Sequence, residues 1–319
     1  MPQHHILIAI DGTGSYNWRR KDGLNSHVYR FANDFEGAKF YFNGPGKLGL
    51  EVGNIIDQAV RETYLKVSHT MQIERCKIED IKINIVGHSR GGFIALKLAN
   101  ALIHSMNFVR PAASGSVDRA KFQNKYMGNG HALSPSNINF IGLYDAVKRT
   151  ATEVEGNLML RNTKIAHAYR KITPLLNTTL QSSRPTFHGM SIPNASPRAF
   201  DTSHGGIGGD PGFFVPLDFG NDLYCNALDL LNAERSFLGS IIEPIDSIYS
   251  AAWRMHRQVN KEERIQQIRQ YWQNSIEADK FIREQAKMCN VKLIGNSAHI
   301  PWEEKDHSMG MALKQICRM

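Results

Sequence analysis

The chain has 319 residues, of which 42% are hydrophobic, and its 38 basic and 30 acidic residues give a net charge of +8. This is enough apolar content for a large core, but no apolar run is long enough to span a bilayer or form a signal peptide, so we expect synthesis in the cytoplasm. The four cysteines are scattered without a C-x-x-C pair, which argues against a disulfide framework and a structural zinc site.

Strand-like and helical segments alternate along the first half of the chain. In order, the pattern predicts a strand at 6–10, a helix near 27–34, a strand at 39–42, a helix at 55–67, a strand at 81–86, a helix after it and a strand at 138–143. Such alternation is typical of α/β proteins with a mostly parallel sheet and helices on both faces.

The second half is organised differently. Two long polar connections, at 110–137 and 178–209, interrupt the alternation and are typical of functional loops. After about residue 227, apolar residues follow two helical stripes, at 245–256 and 265–282. We therefore predict a catalytic domain at 1–225 and a helical extension at 226–319 that packs on the core. The basic face at 254–264 leaves open a surface for membranes or partners.

Residues 84–96 read NIVGHSRGGFIAL and contain a Gly-x-Ser-x-Gly pattern centred on Ser89. The pattern alone is weak, because a glycine-flanked serine arises by chance in roughly one chain in ten. Here a β-branched run ends directly before it and helical spacing begins directly after it. Gly87 and Gly91 leave room where strand and helix cross. This context favours a nucleophile elbow, with Ser89 as catalytic serine, over a simple tight turn.

A catalytic serine needs a histidine to accept its proton and an acid to orient that histidine. Asp145 directly follows the strand at 138–143 and is the candidate acid, although an aspartate there could also cap a turn. His204, in the glycine-rich stretch DTSHGGIGGD, is the preferred base, and His167 and His188 are alternatives. A histidine base predicts activity that rises with pH through about 6.5.

The tetrahedral intermediate requires amide donors for its oxyanion. The amide of Arg90 is one candidate, and the loop after the first strand offers Gly12 and Thr13 as others. Asp11 is expected to hold that loop in shape. A phosphate-binding loop is the rival interpretation, but the stretch has neither complete glycine-rich nucleotide motif.

Six segments, in consistent order between residues 6 and 209, resemble the α/β-hydrolase-like domain family shared with phospholipase effectors of bacterial type VI secretion. They are IDGTGSYN, YFNGPG, GHSRGG, GLYDAV, IAHAYRK, which resembles a histidine-containing helix of that family, and SHGGIGG. The resemblance implies an α/β-hydrolase-like fold, a triad of Ser89, Asp145 and His204, and hydrolysis of acyl esters. Gly206 and Ala146 stand where the family usually has Asp and Thr, so the support of the site is expected to differ.

We therefore expect a serine esterase or lipase, most specifically a phospholipase A-like enzyme, that requires no metal or organic cofactor. Phe213 and Phe214 are candidate contacts for an acyl chain, or else part of the core. The expected partners are a lipid or ester substrate, an anionic membrane surface and, if the protein is exported as a type VI effector, a secretion-machine or immunity protein. The alternatives are a general soluble esterase and a binding module without turnover. No motif favours nucleic acid.

Overall fold

The computed structural model describes residues 2–12, 26–45, 51–103, 132–147, 163–170, 195–202, 204–209 and 261–295. The strands are β1 (His4–Ile10), β2 (Ala38–Phe42), β3 (Ile81–His88), β4 (Ile138–Tyr144), β5 (Lys164–Arg170) and β6 (Ala195–Phe200). The helices are α1 (His27–Asp34), α2 (Val52–Glu74), α3 (Arg90–Ile103), the short α4 (His204–Ile207) and α5 (Lys261–Met288). Short 3₁₀ turns at Ile78–Asp80 and Pro135–Asn137 lead into β3 and β4.

The six strands form one parallel sheet in the order β2-β1-β3-β4-β5-β6. All residues of β1 from Ile6 to Ile10 are buried, because a parallel strand in such a sheet is covered on both faces. The predicted α/β fold, with a mostly parallel sheet and helices on both faces, is confirmed. In a sheet of this kind the strand ends that carry chemistry lie together at the carboxyl edge.

Helices α2 and α3 cover one face of the sheet, and α1 and α5 cover the other. On the first face, Ile94 of α3 packs in one cluster with Ile8 and Ile83 of the sheet. On the second, Phe31 of α1 and Ile282 of α5 share a cluster with β4 and β5. Buried apolar side chains therefore cover both faces of the sheet.

The stretch IAHAYRK does not form the helix that the resemblance led us to expect. Residues Lys164–Arg170 form β5, between β4 and β6. Alanine favours helices in isolation, but here Ala166 and Ala168 are fully buried on the face covered by α5. Their small side chains let the helix approach the sheet, and this packing overrides local propensity.

Helix α5 supplies the part of the predicted extension that the structure describes. Three of its side chains, Ala278, Phe281 and Ile282, are buried in one cluster with residues of the sheet. The division at residues 225 and 226 stays a prediction, and the stripe at 245–256 lies outside the described residues, as do the side chains of Ile265 and Ile268. In the part of the chain that is described, no helix is both long and apolar enough to cross a membrane.

Candidate active site

Ser89 occupies the single position between β3, which ends at His88, and α3, which begins at Arg90. Its φ angle is 55°, a left-handed conformation that serine rarely adopts and that costs on the order of 1–3 kcal/mol. The residue is 6% exposed. A strained serine on an abrupt strand-to-helix turn is the geometry of a nucleophile elbow, since it lifts the hydroxyl above the sheet edge.

The glycines around Ser89 allow this turn to be tight. A Cβ atom on Gly87 would lie 2.5 Å from the carbonyl oxygen of Gly91. One on Gly91 would overlap the carbonyl oxygens of Ile10 and Asp11. The start of α3 therefore contacts β3 and the end of β1 at distances that no side chain would permit.

Asp145 lies beside the elbow, at the end of the neighbouring strand β4. The Ser89 amide donates to the carbonyl oxygen of Tyr144 at 2.9 Å, and the Val147 amide donates to the Ser89 carbonyl oxygen at 3.1 Å. These two bonds hold the elbow against the turn that carries Asp145, which has a φ of 43° and is fully buried. Arg170 forms an ion pair with it, with Nε 3.5 Å from Oδ2. The predicted serine and acid are thus brought together on adjacent strand ends.

His204 is the first residue of α4, four residues after the end of β6, and its side chain is outside what the structure describes. The backbone that follows is close to the elbow, because a Cβ atom on Gly208 would overlap the imidazole of His88, the residue before Ser89. The base assignment stays a prediction, with this placement as its support. His188, Thr13, Phe213 and Phe214 lie outside the described residues.

His167, an alternative base, lies in β5 beneath the Asp145 turn. Its Nε2 accepts the amide hydrogen of Ala146 at 3.3 Å, and the ring is almost fully buried. Burial lowers the pKa of His167 to about 4, although the Asp145 charge opposes the shift. The ring is therefore neutral at pH 7, and its acceptor nitrogen supports the turn that carries the acid.

This burial predicts acid sensitivity. An unfolded histidine has a pKa near 6.5, so between pH 6.5 and 4 the unfolded chain binds a proton that the folded protein excludes, and stability falls as the pH falls. The contribution of His167 should be a loss of about 2 kcal/mol between pH 7 and 4.5. Urea denaturation at both pH values should show a loss of stability that is larger in wild type, by about that amount, than in His167→Gln, which keeps an acceptor but does not titrate. Equal losses in the two proteins would contradict the assignment.

Asp11, the first residue after β1, bonds to the described residues on both sides of the stretch 13–25 and to Tyr41 of β2. Its carboxylate accepts hydrogen bonds from the Gly12 amide at 2.7 Å, the Ser26 hydroxyl at 2.5 Å and the Tyr41 hydroxyl at 2.6 Å. The Gly12 amide thus donates to Asp11 in this structure and would have to leave that carboxylate to hold an oxyanion. Arg90 is the first residue of α3 and follows Ser89 directly, so its amide stays the other candidate donor.

Sequence reasoning missed His88. Its imidazole lies between Gly12 and Gly208, either of which would overlap the ring if it carried a Cβ atom. His88 therefore spaces the β1 loop from the segment that follows His204. Two features of the sequence could have indicated this role. His88 directly precedes Ser89, and the motifs around Gly12 and Gly208 are rich in glycine, which leaves room for a ring.

Comparison with known proteins finds no matching family model and no matching curated protein. Two of the solved structures to which this chain is similar have low structural scores. One is a Tle1 effector bound to the VgrG spike from the Type 6 secretion system, with a TM-score of 0.37 and 17% identity over 65% of this chain and 51% of that one. The other is an acetyl ester-xyloside bifunctional hydrolase from Caldicellulosiruptor lactoaceticus, with a TM-score of 0.34 and 12% identity over 75% of this chain and 85% of that one. The chain spans about half the length of the Tle1 effector.

Within the described residues, no group of three His, Cys, Asp or Glu side chains could hold a metal ion.

Proposed function

We propose that this protein is a serine esterase in which Ser89 is the nucleophile, His204 the general base and Asp145 the acid that orients the histidine. The observation that carries the proposal is the left-handed Ser89 between β3 and α3, bonded through its backbone to the turn that holds Asp145. A turn that served only to connect strand and helix would gain nothing from a strained serine, since glycine adopts this conformation without cost.

In the proposed reaction, Ser89 Oγ attacks the ester carbonyl carbon while His204 accepts the hydroxyl proton. The carbonyl oxygen becomes an oxyanion, which the Arg90 amide stabilises. His204 then donates the proton to the leaving alcohol, and an acyl-enzyme remains. Water attacks that ester with His204 again as base, which releases the carboxylic acid and restores Ser89.

The substrate that we propose is a phospholipid, cleaved at an acyl ester as by a phospholipase A. Support comes from the sequence motifs that resemble those of phospholipase effectors, from the net charge of +8, which favours an anionic membrane surface, and from the apolar run with Phe213 and Phe214 that follows His204 in the sequence. Export by a type VI secretion machine, with an immunity protein as a second partner, belongs to the same proposal.

Labelling by a fluorophosphonate tests the nucleophile directly. The reagent reacts only with an activated serine, so wild type should form a single adduct that mass spectrometry locates on Ser89, and Ser89→Ala should form none. No adduct on the native protein would overturn the proposal in favour of a binding module that keeps the fold without turnover.

The substrate is tested separately by incubation with phospholipid vesicles. Release of fatty acid would support the lipase. Turnover of short-chain soluble esters without release from vesicles would leave a general esterase and remove the lipid substrate.

A further inference from the structure

A buried polar network lies between α1, α5 and the end of β4, directly behind the segment that carries His204. We use the term for seven side chains, all with little or no exposure: His27, Arg30, Asp34, Tyr144, Ser275, Asp279 and Arg283. Asp279 is its centre, since it accepts from the Tyr144 hydroxyl at 2.8 Å and from Arg283 Nε at 2.9 Å. Arg283 also reaches Asp34 at 2.7 Å, which ties α5 to α1. Burial, and then the Asp279 charge, raise the pKa of Tyr144, so its hydroxyl remains a donor.

Stability alone does not explain such a network in this position. Charges removed from water lose several kcal/mol of solvation each, and apolar side chains of similar volume often stabilise a buried contact as well or better. Neighbouring positions on α5 do carry apolar side chains, since Ala278, Phe281 and Ile282 pack against the sheet. A polar network inside an apolar interface instead favours one geometry, because the hydrogen bonds that hold it together are directional.

One chain of hydrogen bonds leads from Arg30 of the network to Gly206, and in it each group donates to the next. Arg30 Nη2 lies 2.6 Å from His27 Nδ1, and a guanidinium can only donate, so Nδ1 is the acceptor and Nε2 carries the ring proton. His27 Nε2 therefore donates toward Ser275, whose Oγ is 3.0 Å away and whose carbonyl oxygen is 3.1 Å away. Ser275 in turn donates its hydroxyl proton to the carbonyl oxygen of Gly206 at 2.5 Å. Every hydroxyl and ring proton in this path has a defined recipient.

This path ends on residues 201–202 and 204–209, which we call the histidine segment because they include His204. Three of its carbonyl oxygens are held from outside it. The Ser275 hydroxyl donates to the carbonyl oxygen of Gly206, and the His27 amide donates to that of Gly208 at 2.9 Å. Asn274 Nδ2 donates to the carbonyl oxygen of Asp201 at 2.8 Å. The far side of Gly208 contacts the His88 ring, next to Ser89. The histidine segment is thus fixed between α5 and the elbow.

We propose that Ser275 is a positioning residue for catalysis, which, together with His27, fixes the histidine segment so that the His204 side chain is held at a constant distance from Ser89. The inference rests on the proposed function for the identity of the base, and it adds the residues that place that base. Ser275 does not contact the substrate. A displacement of about 1 Å in a reacting group costs on the order of 10²-fold in rate, so a support of this kind is visible in the kinetics.

The test compares Ser275→Ala with Thr63→Val. Thr63 is an equally buried hydroxyl that donates to a backbone carbonyl, that of Ala59 at 2.6 Å, but it lies in α2 on the opposite face of the sheet. Each variant loses one buried hydroxyl, so Thr63→Val is the control for the loss of a buried hydroxyl at a position remote from His204. Asn274→Ala is a second test variant, since its hydrogen bond to Asp201 is exposed and its removal leaves the core intact.

Two measurements are made on each protein: hydrogen exchange of the peptide that spans 201–209, and the rate of fluorophosphonate labelling of Ser89. Ser275→Ala should exchange faster in that peptide and label about 10- to 100-fold more slowly, with turnover of a short-chain ester reduced in kcat rather than raised in KM. Asn274→Ala should also exchange faster in that peptide and label more slowly, but by smaller factors. Thr63→Val should match wild type in both.

The outcomes separate the two proposals. Unchanged exchange in Ser275→Ala would overturn the anchoring of the histidine segment whatever the activity. Faster exchange with an unchanged labelling rate would show that the anchor does not position the base, and the inference would fail while the proposed function stood. A wild type that forms no adduct would overturn the proposed function, and with it the positioning role.

Discussion

Replacement of Ser89 by alanine should reduce ester hydrolysis by about 10⁵- to 10⁶-fold, which corresponds to roughly 7–8 kcal/mol of transition-state stabilisation. In the proposed mechanism the hydroxyl is the attacking group, and neither His204 nor the amides at the start of α3 can replace it. The residual rate comes from binding and the oxyanion donors alone. Initial rates on a short-chain ester, with wild type and variant at equal folded concentration, measure the effect.

The control for this experiment is Ser89→Gly. Glycine adopts the φ of 55° without strain, so this variant should be as inactive as Ser89→Ala but no less stable than wild type in urea denaturation. An inactive protein of undiminished stability would show that the lost hydroxyl, and not a lost fold, removes activity. Substantial hydrolysis by either variant would assign the chemistry to another residue.

The second large effect is on stability. Gly91→Ala should lower the free energy of unfolding by about 3 kcal/mol, because the added methyl group would overlap the carbonyl oxygens of Ile10 and Asp11, and backbone on both sides must move to admit it. The same change at Gly53, in helix α2, places the new methyl more than 4 Å from every described atom outside its own helical turn and should stabilise the protein by about 0.5–1 kcal/mol.

Urea midpoints of wild type, Gly91→Ala and Gly53→Ala give the comparison. Since the chemical change is identical, the opposite signs isolate the effect of the crossing between β1 and α3. A Gly91→Ala protein as stable as wild type would mean that α3 can withdraw from β1, and the elbow would then be looser than the structure describes.

The sequence predicted the parts of this fold that depend on local pattern. The alternation of apolar strands and amphipathic helices predicted β1 to β4 and α1 close to their observed ends, and it predicted α2 and α3 in the right order, although α2 continues to Glu74, seven residues beyond the predicted end. The elbow was predictable because its strand, its glycines and its helix are contiguous around Ser89. Asp145 was predictable as a neighbour of Ser89 because consecutive parallel strands place their carboxyl ends at one edge.

Features that depend on distant packing were not predictable in the same way. In β5, alanines that favour a helix are buried between β4 and β6, and β6 lies within a stretch that looked like a polar connection. The pairing of Arg283 with Asp34 joins residues 249 positions apart. His27 and Ser275 carry no motif, and only the tertiary structure shows that they meet at the histidine segment.

The position of α5 has a consequence for how the protein comes to be made. The side chains of Ala166 and Ala168 are buried in one cluster with Ile282 of α5, which is synthesised more than 100 positions later. At ordinary translation speeds this interval is about ten seconds. During it, a nascent chain exposes one face of β4 and β5 and lacks the anchor behind His204. We therefore expect the site to be completed only late in synthesis, so that a ribosome-bound chain ending before α5 has neither the finished core nor the activity.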